Sequence, residues 1–131
     1  MNITKNDLDR CRCMEFERKN LVGRIEQLRS TMERVTPIMK HAPSKRNAKD
    51  TMSGQVAMMD ELERKLVSRV AILEELRQKI DLFISTLPTQ QATVIRLRYV
   101  CGLSWKSVSR RTSYSESHLF YIDRAAKRKL E

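Results

Sequence analysis

Apolar residues recur at alternating spacings of three and four along two long stretches of the chain. The first stretch runs from Leu21 to Met39, and the second runs from Met59 to Leu87. This spacing places a narrow apolar stripe on each of two helices, as in coiled coils. The two stripes are Leu21, Ile25, Leu28, Met32, Val35 and Met39, and then Met59, Leu62, Leu66, Arg69, Leu73, Leu76, Ile80, Phe83 and Leu87.

The segment between the two stripes predicts a loop over residues 41–54, because it contains proline, glycine and small polar residues. Pro37 is expected to kink or end the first helix near Thr36.

Asn6 and Asp7 are candidates to cap the start of the first helix. The first stripe weakens toward the N-terminus, where it meets polar and small residues, and Val70 is expected to help cover the layer around Arg69. Residues 1–86 therefore predict a long antiparallel helical hairpin, coiled-coil-like in its packing. The same stripes would also suit a second chain, so homodimerisation through the hairpin remains an alternative.

The last third of the chain, residues 87–131, predicts three shorter helices. Pro88 suits the first turn of a helix and Gly102 suits its end. Ser104 and Ser115 are positioned to cap the two helices that follow. Residues expected to face inward are Ala92, Ile95, Tyr99, Val100, Val108, Leu119, Ile122, Ala126 and Leu130. Two helices joined by a short serine-rich turn indicate a helix-turn-helix, and its thin core is expected to pack on Phe83, Ile84 and Leu87.

The net positive charge of the chain indicates what kind of molecule this all-α protein binds. The chain carries a formal net charge of +10. Residues 87–131 hold nine Lys and Arg against three Asp and Glu, so most of the excess lies in the last third. A basic patch on a small helical domain is typical of proteins that bind a polyanion, most often nucleic acid.

Other classes of function find little support in the sequence. The three cysteines lack metal-ligand spacing and, with no secretory signal, indicate reduced thiols. No apolar run reaches the length that crosses a bilayer. No paired carboxylates, Gly-rich phosphate loop or Ser/His/Asp grouping stands out. We therefore expect a cytoplasmic protein that is not an enzyme and has no cofactor, metal or membrane partner.

The last third resembles region 4 of bacterial sigma factors. The resemblance rests on Leu87-Pro88 followed by "VIRLRYVCGLSWKSVSRRTSYSESHLFYIDRAAKRKL", with Leu97-Arg98-Tyr99 and the Ser115 that opens the last helix. A long helical part before region 4, without other sigma regions, is similar to small phage-encoded regulators of the ArpU type. The resemblance implies a regulator of phage or prophage late genes that acts in a bacterial host cell, binds double-stranded DNA and contacts host RNA polymerase. No segment resembles the sigma region that melts promoters, so an activator or half of a split sigma factor is expected.

Three positions depart from the sigma pattern. Ser113 replaces the usual turn glycine, Ser107-Val108-Ser109 replaces Glu-Ile-Ala, and Glu116 stands where arginine is frequent. Because Glu116 opens the recognition helix, the base preference of the family does not transfer to this chain.

Positions on the last helix predict two sets of DNA contacts. Base contacts are expected from Glu116, Ser117, Phe120 and Tyr121, with Glu116 accepting from a cytosine amino group and an aromatic ring packing on a thymine methyl. Phosphate contacts are expected from Lys106, Arg110, Arg111, Arg124, Lys127 and Arg128. The structural alternatives are a first-turn acid at Glu116 and ring packing against the neighbouring helix at Phe120 and Tyr121. Trp105 is expected to plug the core between helices.

Two other functions suit the same features. A small terminase-type subunit of a phage also joins a helix-turn-helix to helical oligomerisation elements. An RNA polymerase- or sigma-binding protein would use the basic helix against protein instead of DNA.

Overall fold

The computed structural model describes residues 3–40 and 45–130, with side chains described in residues 3–34 and 53–130. Helices dominate, and no strand occurs within those ranges. The elements in chain order are α1 (Lys5–Lys40), α2 (Lys45–Ile84), α3 (Thr89–Ile95), a π-helical segment (Arg96–Val100), α4 (Trp105–Thr112) and α5 (Glu116–Lys127). The predicted all-α fold is confirmed.

The long helices extend further than the sequence predicted. α1 continues through Pro37 to Lys40, since a proline removes one backbone hydrogen bond without forbidding the helix. α2 begins at Lys45, so the loop predicted over 41–54 is wrong from that residue onward. Gly54 lies inside α2 with open space around it, and one helical glycine costs only about 1 kcal/mol relative to alanine. Residues 41–44 and the side chains of Val35 and Met39 lie outside the described part of the chain.

The start of α1 is capped by Thr4 together with Asp7, so of the two predicted capping residues Asp7 takes part. The Thr4 amide donates to Asp7 Oδ2 at 2.9 Å, and the Asp7 amide donates to Thr4 Oγ1 at 3.3 Å. This reciprocal pair is a capping box, which satisfies two of the amides that a helix start leaves without partners.

The chain forms two compact units. One consists of Met1–Glu17 and Ala71–Glu131, and the other consists of Arg18–Val70. We call them the helix-turn-helix unit and the hairpin unit. The predicted boundary between residues 86 and 87 therefore falls inside the helix-turn-helix unit, because the short helices need the ends of α1 and α2 to complete their core.

The core of the hairpin unit is a single seam. Leu21 and Ile25 of α1 pack with Leu62 of α2, and Leu28, Met59 and Leu66 lie partly buried against them. These residues come from the two predicted stripes. Val70, expected to help cover the layer around Arg69, is 42 % exposed instead.

The helix-turn-helix unit has a larger core with two clusters. The first joins both ends of the chain: Leu8, Cys11, Met14, Leu73, Leu76, Ile80, Phe83, Ile84, Ile95, Tyr99, Ala126 and Leu130. The expected packing of the short helices on Phe83, Ile84 and Leu87 is confirmed. The weak start of the first stripe was misleading, since Leu8, Cys11 and Met14 are buried here. The second cluster consists of Val94, Val108, Leu119 and Ile122.

A buried ion pair connects three segments of this unit. Glu15 of α1 is 3 % exposed, and Arg77 Nη2 of α2 lies 2.5 Å from its Oε2. The same nitrogen lies 3.4 Å from the carbonyl of Val100, at the end of the π-helical segment. Gly102 follows with φ +73°, and a Cβ there would come within 3.3 Å of Glu15 Cγ. Glycine is therefore required both for its backbone angle and for the close approach of α1.

Candidate nucleic-acid interface

Helices α4 and α5 are joined by a three-residue turn and have matching starts. The Ser107 amide donates to Ser104 Oγ and the His118 amide donates to Ser115 Oγ, each at 3.2 Å. Both serines have extended backbone angles, as N-cap residues do. Both predicted caps are confirmed, and they fix where the second helix of the helix-turn-helix begins.

The turn itself adopts a backbone conformation that favours glycine. Ser113 ends α4 with φ 64° and ψ 13°, in the left-handed region. Its amide donates to the Ser109 carbonyl at 2.8 Å, and Ser109 Oγ donates to the Tyr114 carbonyl at 2.6 Å. Ser109, which stands where sigma factors usually have alanine, therefore stabilises this turn through its hydrogen bond to Tyr114. Ser113 strains the same turn, because it adopts a positive φ.

Helix α5 has one buried face and one exposed face. Leu119, Ile122 and Ala126 are buried, as predicted, while Leu130 is buried just beyond the helix end. On the other side the exposed residues are Glu116, Ser117, Tyr121, Arg124 and Arg128. An α-helix with an anchored back and a polar, aromatic and cationic front fits the width of a DNA major groove.

Rings support the front of α5 on one flank. The His118 ring stacks with the Tyr121 ring at 6.4 Å between centroids and 8° between planes, and it meets Tyr114 edge-on at 5.0 Å. His118 Nε2 lies 3.2 Å from Gln90 Nε2 of α3. Tyr121, although 66 % exposed, is thus held by a neighbour that α3 also contacts.

A second stack lies on the opposite flank of α5. The Arg98 guanidinium lies over the Trp105 ring at 4.5 Å, and the Trp105 ring meets Phe120 edge-on at 5.2 Å. Phe120 keeps 43 % of its surface exposed. Phe120 therefore packs against Trp105 of the neighbouring helix with part of its ring, as the structural alternative predicts. The rest of the ring remains accessible to a ligand.

Below this stack, a polar network links the π-helical segment to α5. Tyr99 Oη donates to Asp123 Oδ1 at 2.8 Å, and Lys127 Nζ lies 3.3 Å from Asp123 Oδ2. Burial raises the pKa of Tyr99, and the hydrogen bond to Asp123 raises it further. Lys127 also lies 5.1 Å from the centre of the Tyr99 ring. Because Asp123 already pairs with its charge, Lys127 has a structural role that weakens its case as a phosphate contact.

The predicted site residues divide into three groups in space: the lining of a cleft, the exposed surface of α4 and the exposed front of α5. Phe120, Arg124 and Lys127 line one cleft of about 440 Å³, together with Asp9, Arg98, Tyr99, Trp105 and Asp123. Lys106, Arg110 and Arg111 lie exposed on α4 instead. Glu116, Ser117 and Tyr121 lie on the exposed front of α5, and Arg128 is exposed at its C-terminal end. Their contacts with DNA stay predictions.

Sequence reasoning missed the residues that surround this cleft. Arg98 belongs to the Leu97-Arg98-Tyr99 motif, but the sequence pattern does not indicate that its guanidinium lies over the Trp105 ring. Asp9 comes from α1, about 90 residues before Arg98. No periodicity in the sequence signals that a residue so far away joins the helix-turn-helix. Trp105 is partly buried against the second core cluster, as expected of a core plug.

Comparison with known proteins supports the helix-turn-helix. Residues 77–118 match the family model described as Sigma-70, region 4. This confirms the sigma region 4 resemblance for that segment, which runs from the last part of α2 to the third residue of α5. No curated protein and no solved structure matches the chain.

None of the helices in the described part of the chain is long and apolar enough to cross a membrane.

Proposed function

We propose that this chain binds double-stranded DNA at specific sequences and regulates transcription, with α5 as the recognition helix. The supporting observation is the exposed front of α5, a helix that Ser115 caps at its start and that buried Leu119, Ile122 and Ala126 anchor to the core. The match of residues 77–118 to sigma region 4 supports the same assignment.

The front of α5 presents residues suited to base contacts in its first two turns and residues suited to phosphate contacts after them. Glu116, Ser117, Phe120 and Tyr121 lie in its first two turns, where recognition helices contact base edges. Arg124 and Arg128 follow on the same side, and exposed arginines there suit phosphates. Such phosphate contacts fix register and add affinity without carrying sequence information.

The finer function follows from the resemblance. A long helical part before region 4 supports a regulator of the ArpU type, of phage or mobile-element origin, that acts in the cytoplasm of its host. Contact with host RNA polymerase is part of this proposal, as is homodimerisation through the hairpin. The proposed role is that of a binding protein without catalytic activity.

Affinity selection of genomic DNA fragments by the purified full-length protein at two salt concentrations tests this function. We expect one enriched motif that survives the higher salt, because base contacts depend less on salt than phosphate contacts do. Binding that is sequence-blind and lost at high salt would overturn the proposal. A ring-shaped oligomer bound to DNA would favour the terminase-type alternative instead.

Single substitutions separate reading from positioning. Arg124→Ala should weaken binding to every sequence and reduce the salt slope by about 0.9. Ser117→Ala and Tyr121→Ala should each change which sequence is preferred, by about 1–3 kcal/mol at the affected base pair. Arg24→Ala, which removes an equal charge from an exposed position in the hairpin unit, is the matched control. Equal losses on every sequence for Arg124, Ser117 and Tyr121 variants would contradict the division of roles.

A further inference from the structure

The ring of Tyr121, one of the predicted base contacts, is supported from one side by the ring of His118. The two residues are three positions apart on α5, so their side chains are neighbours on the helix surface. The ring planes are parallel within 8°, and the centroids lie 6.4 Å apart, within the range of stacked aromatic pairs. Tyr121 nevertheless keeps 66 % of its surface exposed. One face of the ring is therefore positioned while most of its surface stays accessible to DNA.

His118 is in turn held by the turn before α5 and by α3. The Tyr114 ring meets the His118 ring edge-on, with 5.0 Å between centroids and 81° between planes. Tyr114 itself packs on the second core cluster, so it is a firm support. At the tip of the His118 ring, Nε2 lies 3.2 Å from Nε2 of Gln90, a hydrogen-bond distance. The edge contact and the hydrogen bond together restrict both side-chain torsions of His118.

These contacts form a continuous line from Gln90 of α3 through His118 to Tyr121 on the front of α5. Helix α3 is not one of the two helices of the helix-turn-helix, so the line connects the front of α5 to a third helix. A side chain that is ordered before binding loses less conformational entropy when it binds. A contact residue also discriminates better when its neighbours fix its geometry. The orientation of Tyr121 therefore depends on two residues that need not touch DNA themselves.

This line can be interrupted without opening the core. Gln90 and His118 are both exposed, so replacing either side chain leaves no buried cavity. The other aromatic residue of the front, Phe120, is supported differently. Its partner Trp105 packs against the second core cluster, and a substitution there would disturb the core as well. The flank of His118 is therefore the one on which positioning can be separated from folding.

We propose that Gln90 and His118 position Tyr121 and thereby determine the base preference at the base pair that Tyr121 contacts. Both act through Tyr121, as positioning residues. The inference rests on the proposed function, because it requires that Tyr121 contacts a base. It adds a residue of α3 to the determinants of sequence preference.

Replacement of the ring in His118→Leu tests the first step. The full-length variant should lose preference at the base pair that Tyr121→Ala also affects, by a factor of about 2–10, the range of one aromatic pair. Preference at the other base pairs should stay the same, and thermal unfolding should change little, because the position is exposed. His118→Phe, which keeps a flat ring but cannot bond to Gln90, should retain part of the preference. Competition between the selected DNA and DNA altered at that base pair measures each ratio.

Gln90→Leu tests the second step, from α3. It removes the hydrogen bond at a similar side-chain volume, and preference at the same base pair should fall by a factor of about 2–3. Thr93→Ala is the matched control on the exposed surface of α3, since the Thr93 hydroxyl donates to the Thr89 carbonyl within that helix. Its preference should equal that of the wild type. An equal loss in Gln90→Leu and Thr93→Ala would overturn a role specific to Gln90.

A double-mutant cycle distinguishes positioning from direct contact. If His118 acts through Tyr121, His118→Leu should cause no further change of preference in a Tyr121→Ala background. A full additional loss in that background would mean that His118 contacts the base itself, and the inference would be overturned. Gln90→Leu should likewise have no further effect in a His118→Leu background.

The NMR signals of the Tyr121 ring in the DNA-free protein separate this inference from the proposed function. Gln90→Leu should shift these signals through His118, and Thr93→Ala should not. If Gln90→Leu left them unchanged, the line of contacts would be overturned. If they shifted but the wild type selected no DNA motif, the proposed function would fail, and the role in base preference with it. If the wild type selected a motif and His118→Leu kept the full preference at the Tyr121 base pair, the inference would be overturned and the function would stand.

Discussion

The same two long helices have very different cores in the two units. In the helix-turn-helix unit, Leu8, Ile80 and Ile95 are 0 % exposed. In the described part of the hairpin unit, the best-buried side chains are Leu62, Ile25 and Leu21, at 3, 6 and 8 %. Val67 there is 70 % exposed. Pairing two helices closes one seam, whereas α3 and α5 give the ends of α1 and α2 a third layer to pack against.

This difference in burial indicates that the core of the helix-turn-helix unit contributes more to stability than the core of the hairpin unit. A hydrophobic core stabilises in proportion to the apolar surface that it removes from water. The helix-turn-helix unit therefore owes much of its stability to segments outside residues 87–131. The hairpin unit has one seam and exposed valines, and the prediction that it forms a homodimer stays open to a measurement of mass in solution.

A matched pair of isoleucine substitutions tests this comparison and should give the largest effect. Ile80→Ala in the helix-turn-helix unit should lower the free energy of unfolding by about 2–5 kcal/mol, because the cavity is enclosed. Ile25→Ala in the hairpin unit should cost less, about 1–2 kcal/mol, because its neighbours Leu28, Met59 and Leu66 are only partly buried and leave a shallower cavity. Urea denaturation measures both.

The surface variant Val67→Ala is the control for the isoleucine pair. An exposed position should change stability by less than about 0.5 kcal/mol. If Ile80→Ala and Ile25→Ala cost the same, the two cores would be equivalent and the comparison would fail.

Stability should also fall at high pH through Cys11. Burial raises the pKa of Cys11 from 9.0 to about 11, and the charges of Glu15 and Asp81 add to the rise, against Arg77. The unfolded chain thus ionises first, so the stabilisation is complete below pH 9 and is lost as pH rises toward 11. The loss over this window should reach about 2–3 kcal/mol. Tyr99, whose pKa is also raised, should steepen the fall above pH of about 10.

Cysteine variants make the pH test specific. Cys11→Ala should flatten the fall between pH 9 and 11 in urea denaturation. Cys13→Ala, at an exposed position two residues away, should keep the wild-type dependence. A wild-type slope in Cys11→Ala would assign the fall to other groups.

Local patterns predicted most of the short helices, while contacts distant in sequence escaped prediction. Ser104 and Ser115 act within a few residues of their positions, so capping rules sufficed for them, and turn rules sufficed for Gly102 as a helix end but not for its approach to Glu15. Cys11 is buried by residues more than 60 positions away, and the spacing of the first stripe did not indicate this. Likewise, the front of α5 follows from helical periodicity, whereas the cleft that Asp9 lines together with Arg98 requires the tertiary fold.

The two N-caps offer a smaller effect. Ser104→Ala and Ser115→Ala should each lower the free energy of unfolding by about 1 kcal/mol, because an amide at each helix start loses its partner. Thermal unfolding measures the loss. Ser115→Ala should also weaken DNA binding more than Ser104→Ala does, since it loosens the start of α5. Replacement by asparagine, which also caps helices, should restore stability at either position, and a failure to do so would assign the loss to other contacts.

The smallest effect concerns the turn between α4 and α5. Ser113 adopts φ 64°, which costs a non-glycine residue about 1–2 kcal/mol. Ser113→Gly removes this strain but makes the unfolded chain more flexible, so the net gain in stability should be about 0.5–1 kcal/mol. Ser113→Val should destabilise, because a β-branched side chain resists positive φ more strongly.

The comparison with Ser109→Ala is informative, since Ser109 holds the turn by its hydrogen bond to the Tyr114 carbonyl. If the turn is strained and fastened as described, Ser109→Ala should cost more stability in the wild type than in Ser113→Gly, because glycine needs less fastening. Equal costs in both backgrounds, measured by thermal unfolding, would show that the two serines act independently.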